Sequence, residues 1–205
     1  TGWDDTFGFH YRTYFQLIEA LDLEAVSANQ VQYQLGLRPL LFRLRKTYTD
    51  RWGVRRRLGL ELLPDILAHP LRGPEDLRRL RVPDPRRDPA IAAVRAAVRE
   101  FGGRRAVFYV GRDVFADAWN LCGMENLLAA FALDPGFAAE LSRIVKEYNL
   151  ELHRRLIGAG ADFIVLGDDY AHKTGTLMSP EHFRRFLLPG FTQIVRNIKQ
   201  AGALC

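Results

Sequence analysis

The 205-residue sequence predicts an α/β protein, a (β/α)8 TIM barrel truncated at its C-terminus and, on this reading, at its N-terminus as well. Three observations predict it: short apolar runs rich in aromatic and β-branched residues, amphipathic helical stretches between them, and an acidic step where one run ends. Strands that alternate with helices argue for parallel βαβ units. A closed barrel takes about 250 residues, so residues 1–205 read as one incomplete barrel domain with an irregular portion over about residues 1–90.

The elements follow in order. "TYFQLIEALDLEAV", residues 13–26, reads as an amphipathic helix. Residues 68–89, "AHPLRGPEDLRRLRVPDPRRDP", read as a proline-rich loop enclosing a short helix. "AVFYV", Ala106 to Val110, follows the turn signal Gly102-Gly103 and ends at Gly111, which marks a buried strand. Asp134 and Pro135 then supply an N-cap and a first-turn proline. Phe137, Leu141, Ile144, Val145, Tyr148, Leu152 and Leu156 recur at helical spacing, and Gly158 and Gly160 close that helix. "FIVLG", Phe163 to Gly167, is the next strand, and Ser179-Pro180 opens a helix that Pro189 should kink and Gly202 should close. "ALC" then starts a further strand.

Composition narrows the function classes. With 48% hydrophobic and 26% charged residues the chain can bury a core. Its longest apolar runs fall short of the roughly 18 residues of a membrane span, so no membrane partner is expected. The opening "TGWDDTFGFH" carries no basic start and no apolar secretory core, which makes the cytoplasm the default compartment. Cys122 and Cys205 are too few and too far apart for a zinc knuckle or a disulfide scaffold, and both read as small buried residues. The net charge of +5 comes from arginine clusters such as "RWGVRRRLG", which lack the interleaved aromatics of a nucleic-acid reader. Solvated helix faces and loops are the plain reading of that charge, and attraction of an anionic small molecule is a further one.

The chemistry concentrates at strand ends, where parallel α/β folds bind ligands. Asp168 and Asp169 leave the strand "FIVLG" side by side, so at least one faces the pocket as a proton carrier, an acceptor for a substrate N–H, or a metal ligand. His172 and Lys173 follow in the same loop and can hold a substrate carboxylate. At the other strand end Arg112 and Asp113 read as an anion clamp or a surface pair, and Trp119 as a pocket wall or a core aromatic. "HYRTYF" near the start is too generic to interpret, and no phosphate loop, dinucleotide fingerprint or Ser-His-Asp order is present.

The segments "GADFIVLGDDYAHKTGTLMSPEHFRRFLLPGF" and "GRDVFADAWNLCGMENLLAAFALDP", with the weaker "TDRWGV" and "HPLRGPEDLRRLRVPDP", resemble the uroporphyrinogen decarboxylase superfamily. That superfamily also contains the methyltransferases that load or unload corrinoid proteins, and the resemblance runs from about Tyr48 to Cys205. It implies a (β/α)8 barrel. Under the first reading it implies a carboxy-lyase of porphyrin biosynthesis type, which decarboxylates a tetrapyrrole carboxylate without a cofactor. Under the second it implies a zinc-dependent methyltransferase with a corrinoid protein as partner. Trp119 stands where decarboxylases carry a Tyr, and Asp169 where they carry a Ser. The Arg-rich loop and the aspartate strand of true decarboxylases have no match here. The zinc ligands of the corrinoid branch correspond to positions after Cys205, so no metal ligand is nominated. The expected catalytic residues are therefore Asp168 and Asp169, and the expected substrate-binding residues are Arg112, Trp119, His172 and Lys173. A second copy of the chain, forming a homodimer, completes the expected partners.

Overall fold

The computed structural model describes residues 14–29, 47–57 and 64–205. The string "HYRTYF" lies largely outside these residues. The described elements are a helix over residues 14–20 (α1), β1 (Ala25–Ser27), β2 (Thr47–Thr49), β3 (Arg55–Arg57), β4 (Asp65–Ala68) and α2 (Pro74–Leu77). A 3-10 turn, Pro85–Arg87, precedes α3 (Pro89–Phe101), β5 (Ala106–Gly111), α4 (Phe115–Cys122), α5 (Met124–Leu133) and α6 (Pro135–Gly158). The chain continues with β6 (Phe163–Leu166), β7 (Ala171–His172), β8 (Gly175–Thr176), α7 (Pro180–His182), a π-helical turn (Phe183–Leu187) and α8 (Leu188–Gln200).

β1, β5 and β6 form a parallel sheet whose spatial order follows the chain order. Leu204 extends it by a parallel bridge to Phe163. Strands laid down in sequence, each followed by a helix, form an arc of the kind a barrel uses, whereas a doubly wound sheet reverses its strand order. The described residues show this arc and not a closed ring.

The strand sequences explain which face the helices cover. Val26, Val107, Tyr109 and Ile164 point to one side and are buried, against Ala93, Val94 and Ala97 of α3 and the apolar stripe of α6. On the opposite side Phe108 stacks on Phe163 with ring centroids 5.0 Å apart, while Val110 and Val165 are exposed. The period of two along a strand produces this alternation.

α6 begins and ends as its sequence dictates. The Asp134 side chain accepts from Phe137 N at 3.0 Å, Pro135 occupies the first turn, and Gly160 past the end takes φ +104°. Its buried face carries Leu141, Val145, Leu152 and Leu156, each such leucine contributing about 1.5–3 kcal/mol of burial. Gly111 at the end of β5 is required by close approach, since a Cβ there would lie 2.4 Å from His153 Nε2.

The expected kink at Pro189 takes the form of the π-helical turn immediately before it, where Leu188 N donates to the Phe183 carbonyl. A proline has no N–H to give, and a wide turn relieves the lost bond. Residues 13–26 do not form one helix. The helix stops at residue 20, Asp22 takes φ +48°, and Ala25–Ser27 becomes a strand because it pairs in register with Ala106, Val107 and Phe108. The irregular N-terminal portion contains an ordered antiparallel meander, β2-β3-β4. Its turn is built by Asp50, whose Oδ1 accepts from Trp52 N and Val54 N, both at 3.0 Å. Cys122 is buried as expected, and burial pushes its thiol up to about 12, but Cys205 is exposed. Among the described residues no helix is long and apolar enough to cross a membrane.

Candidate active site at the strand ends

α4 begins just beyond the end of β5 with Val114 as its N-cap, a side chain that offers no acceptor to the free N–H groups of the first turn. Two carboxylates supply what Val114 lacks. Asp113 Oδ1 accepts from Val114 N and, at 3.3 Å, from Phe115 N. Asp168 Oδ2, arriving from the end of β6, accepts from the same two N–H groups at 3.1 and 3.0 Å. One strand end thus caps the helix that follows the other.

Both acids are withdrawn from water, the Asp168 side chain and Asp113 each being 1% exposed. Burial, followed by the neighbouring Asp113 carboxylate, raises Asp168 to about 8. Its second oxygen, Oδ1, is buried with no hydrogen-bond partner. Tyr170 donates its O–H to Asp113 Oδ2, and burial with that carboxylate pushes the phenol well above its ordinary range. One helical turn on, Asp117 Oδ2 accepts from Asn149 Nδ2 at 2.8 Å, and Asn149 Nδ2 also donates to the Asp113 carbonyl at 2.9 Å. Burial raises Asp117 above the usual carboxylate range too. Asp117 also lines a cavity of about 30 Å³ with Asp50, Trp52, Arg56 and Asn120, which is room for one water.

Arg112 is the cation of this cluster. Its guanidinium donates to the Gly167 carbonyl and lies 3.9 Å from Asp168 Oδ1, tying the two strand ends together while 41% of the side chain stays exposed. The alternative of an Arg112–Asp113 surface pair is not what forms. Trp119 is half-buried and packs against the core, and its Nε1 is buried with no hydrogen-bond partner among the described residues.

The remaining sequence candidates lie elsewhere. Asp169 is exposed and forms no ion pair among the described residues. His172 and Lys173 sit on an exposed hairpin formed by β7 and β8, where His172 Nδ1 contacts Thr174 Oγ1 at 3.1 Å. The structure does not bring them to Asp168 through any hydrogen bond or ion pair. The physical reason is the alternation past the strand: Asp168 turns inward to the helix cap, so Asp169 turns out. Ser179 is a helix cap, accepting from His182 N at 3.1 Å.

Asp117, Asn149 and Tyr170 were missed by sequence reasoning. Asp117 lies in the first turn of α4, where Asn149 of α6 reaches both its carboxylate and the Asp113 carbonyl. Asn149 and His153 are four residues apart within the apolar stripe of α6, and both prove buried. A polar pair inside an apolar stripe was the available signal. Three arginines of the meander region are engaged: Arg51 with Asp88, Arg56 with Asp50 and Asn120, Arg57 with Asp65.

A zinc site tests poorly against the donors present. Among the described residues no group of three or more His, Cys, Asp or Glu side chains is arranged to hold a metal ion, and the Cys122 thiol is held protonated by burial. No chemistry through a metal is derived for these residues.

No curated protein matches the chain. Among solved structures it is similar to a methyltransferase from Methanosarcina mazei, with a TM-score of 0.63 and 18% sequence identity over 82% of this chain. The match spans 53% of that protein, about half its length, and at this identity shows the fold. Residues 53–204 match the family model "Uroporphyrinogen decarboxylase (URO-D)", which covers most of the chain, and the protein belongs to that family.

Proposed function

We propose that this chain carries a proton-transfer site of an enzyme that decarboxylates an anionic substrate of the tetrapyrrole carboxylate class, with Asp168 as the proton carrier. One observation carries the reading: Asp168 is a buried strand-end acid raised to about 8, so at neutral pH it holds a proton. Its Oδ2 is fixed by two N–H groups, which leaves Oδ1 as the oxygen that bears the proton. As CO₂ leaves, the C–C bond breaks and its electron pair passes to the substrate carbon. The proton from Asp168 Oδ1 fills that position, and solvent restores it. Arg112 supports the approach of substrate: a carboxylate that engages the half-exposed guanidinium draws it from the Gly167 carbonyl and opens the way to Oδ1. CO₂ release from uroporphyrinogen by the purified protein tests the reading, and its loss in Asp168→Asn is the expected companion result.

A second reading, zinc-dependent methyl transfer with a corrinoid protein, is favoured by two observations. The fold resembles a methyltransferase, and the strand ends present Asp113, Asp117 and Asp168 with Arg112 as the ion-pair partner of Asp168 among the described residues, which suits a polycarboxylate poorly. Stoichiometric zinc in the purified protein, with no CO₂ release, is the result that would select this reading.

A further inference from the structure

Two carboxylates that accept from the same two backbone N–H groups must lie side by side, and Asp113 and Asp168 do so at Val114 N and Phe115 N. They are adjacent in space although their Cα positions belong to different strand ends. We propose that Asp113 and Asp168 form one titrating unit that shares a single proton across the ends of β5 and β6, with Asp113 as the positioning residue for Asp168. The proposal deepens the reading of Asp168 as the proton carrier and rests on it for its catalytic meaning.

The charges that face the pair decide its protonation. On the favourable side are Arg112, 3.9 Å from Asp168 Oδ1 but partly in solvent, and the positive end of α4, equivalent to roughly half a charge. On the unfavourable side are burial and Asp117 from α4. His153 of α6 adds no positive charge at neutral pH, because burial lowers it to about 4, and Arg51 is committed to Asp88. Two buried carboxylates beside a third, facing among the described residues the partly solvated Arg112 guanidinium, cannot both ionise at neutral pH.

Tyr170 settles where the proton goes. Its O–H occupies Asp113 Oδ2, and the helix N–H groups occupy Asp113 Oδ1 and Asp168 Oδ2. Asp168 Oδ1, buried and with no hydrogen-bond partner among the described residues, is the oxygen left to carry the proton. Asp168 is thereby the acid of the pair, and the removal of Asp113 would let it ionise earlier. Titration of the pair has the apparent values of a coupled system and not of two separate aspartates.

The test is a carboxyl ¹³C NMR titration of the protein labelled at aspartate, run on the wild type, Asp113→Asn, Asp168→Asn and Tyr170→Phe. In the wild type one carboxyl of the pair stays protonated until about pH 8. In Asp113→Asn the Asp168 transition moves to lower pH by at least about one unit, the threshold for strong coupling. In Asp168→Asn the transition near pH 8 disappears, and Tyr170→Phe shifts the wild-type transition while leaving the fold intact. Two independent transitions near the ordinary aspartate value of about 4 in the wild type would overturn the proposal, as would an Asp168 transition that Asp113→Asn leaves in place. The wild-type titration decides the matter even if a variant fails to fold. The kinetic reading fails separately: a shared proton with turnover indifferent to Asp168→Asn removes the proton carrier and keeps the pair.

Discussion

Asp168 and Asp169 are consecutive residues with opposite fates. Asp168 is buried, caps the helix after the neighbouring strand and is raised to about 8, whereas Asp169 is exposed just before the β7-β8 hairpin. The contrast teaches that a strand end fixes where a side chain is but not what surrounds it. The environment comes from Val114, which leaves its N-terminal N–H groups unmet, and from Asp113, Tyr170 and Arg112, which close over the acid. Perturbed acids cluster at functional sites for this reason, and the exposed hairpin offers nothing comparable.

The largest effect that would sharpen the contrast is on turnover. Asp168→Asn keeps an acceptor oxygen for Val114 N and Phe115 N but carries no transferable proton, so kcat should fall by about 10²–10⁴, with the thermal midpoint little changed. A smaller effect concerns stability: Asn149→Ala removes the donor to both the Asp113 carbonyl and Asp117 Oδ2, leaving a buried carboxylate short of a partner. Urea unfolding should show a loss of about 1–3 kcal/mol.

The pH dependence of stability follows with a worked sign. Asp168 titrates at about 8 in the fold and near 3.9 when unfolded, so the folded state binds more protons between these values. Its contribution is full below about pH 4 and is lost as pH rises toward about 8. His153 runs the other way: its folded value of about 4 lies below the ordinary 6.5 of an imidazole, so stability falls as pH drops through that interval. Urea midpoints measured across pH should therefore decline above about pH 6.5, and Asp168→Asn should flatten that decline.

The smallest effects belong to the hairpin. Asp169→Ala, His172→Ala and Lys173→Ala should each change stability by no more than about 0.5 kcal/mol and leave KM unaltered. A tenfold rise in KM, about 1.4 kcal/mol, in any of them would return the hairpin to the substrate site and break the contrast.

Much of the scaffold was legible because local chemistry dictates it. Asp134-Pro135 capped α6, Ser179-Pro180 capped α7, and the aromatic and β-branched runs became β5 and β6. The short strand Ala25–Ser27 was not legible, since only its parallel pairing with β5 makes it a strand. The site was legible in part. Asp168 and Arg112 were found from their fold position, but the convergence of Asp113, Asp168 and Tyr170 depends on β5 and β6 lying side by side, which no local pattern encodes.

The central claim is that Asp168 holds a proton at neutral pH and delivers it. Single-turnover CO₂ release from uroporphyrinogen, measured against pH for the wild type and Asp168→Asn, tests this most directly. The account predicts a wild-type rate that falls as pH rises through about 8 and a variant with almost none. A rate that is flat across that range, a variant that retains it, or no CO₂ release at any pH would contradict the account.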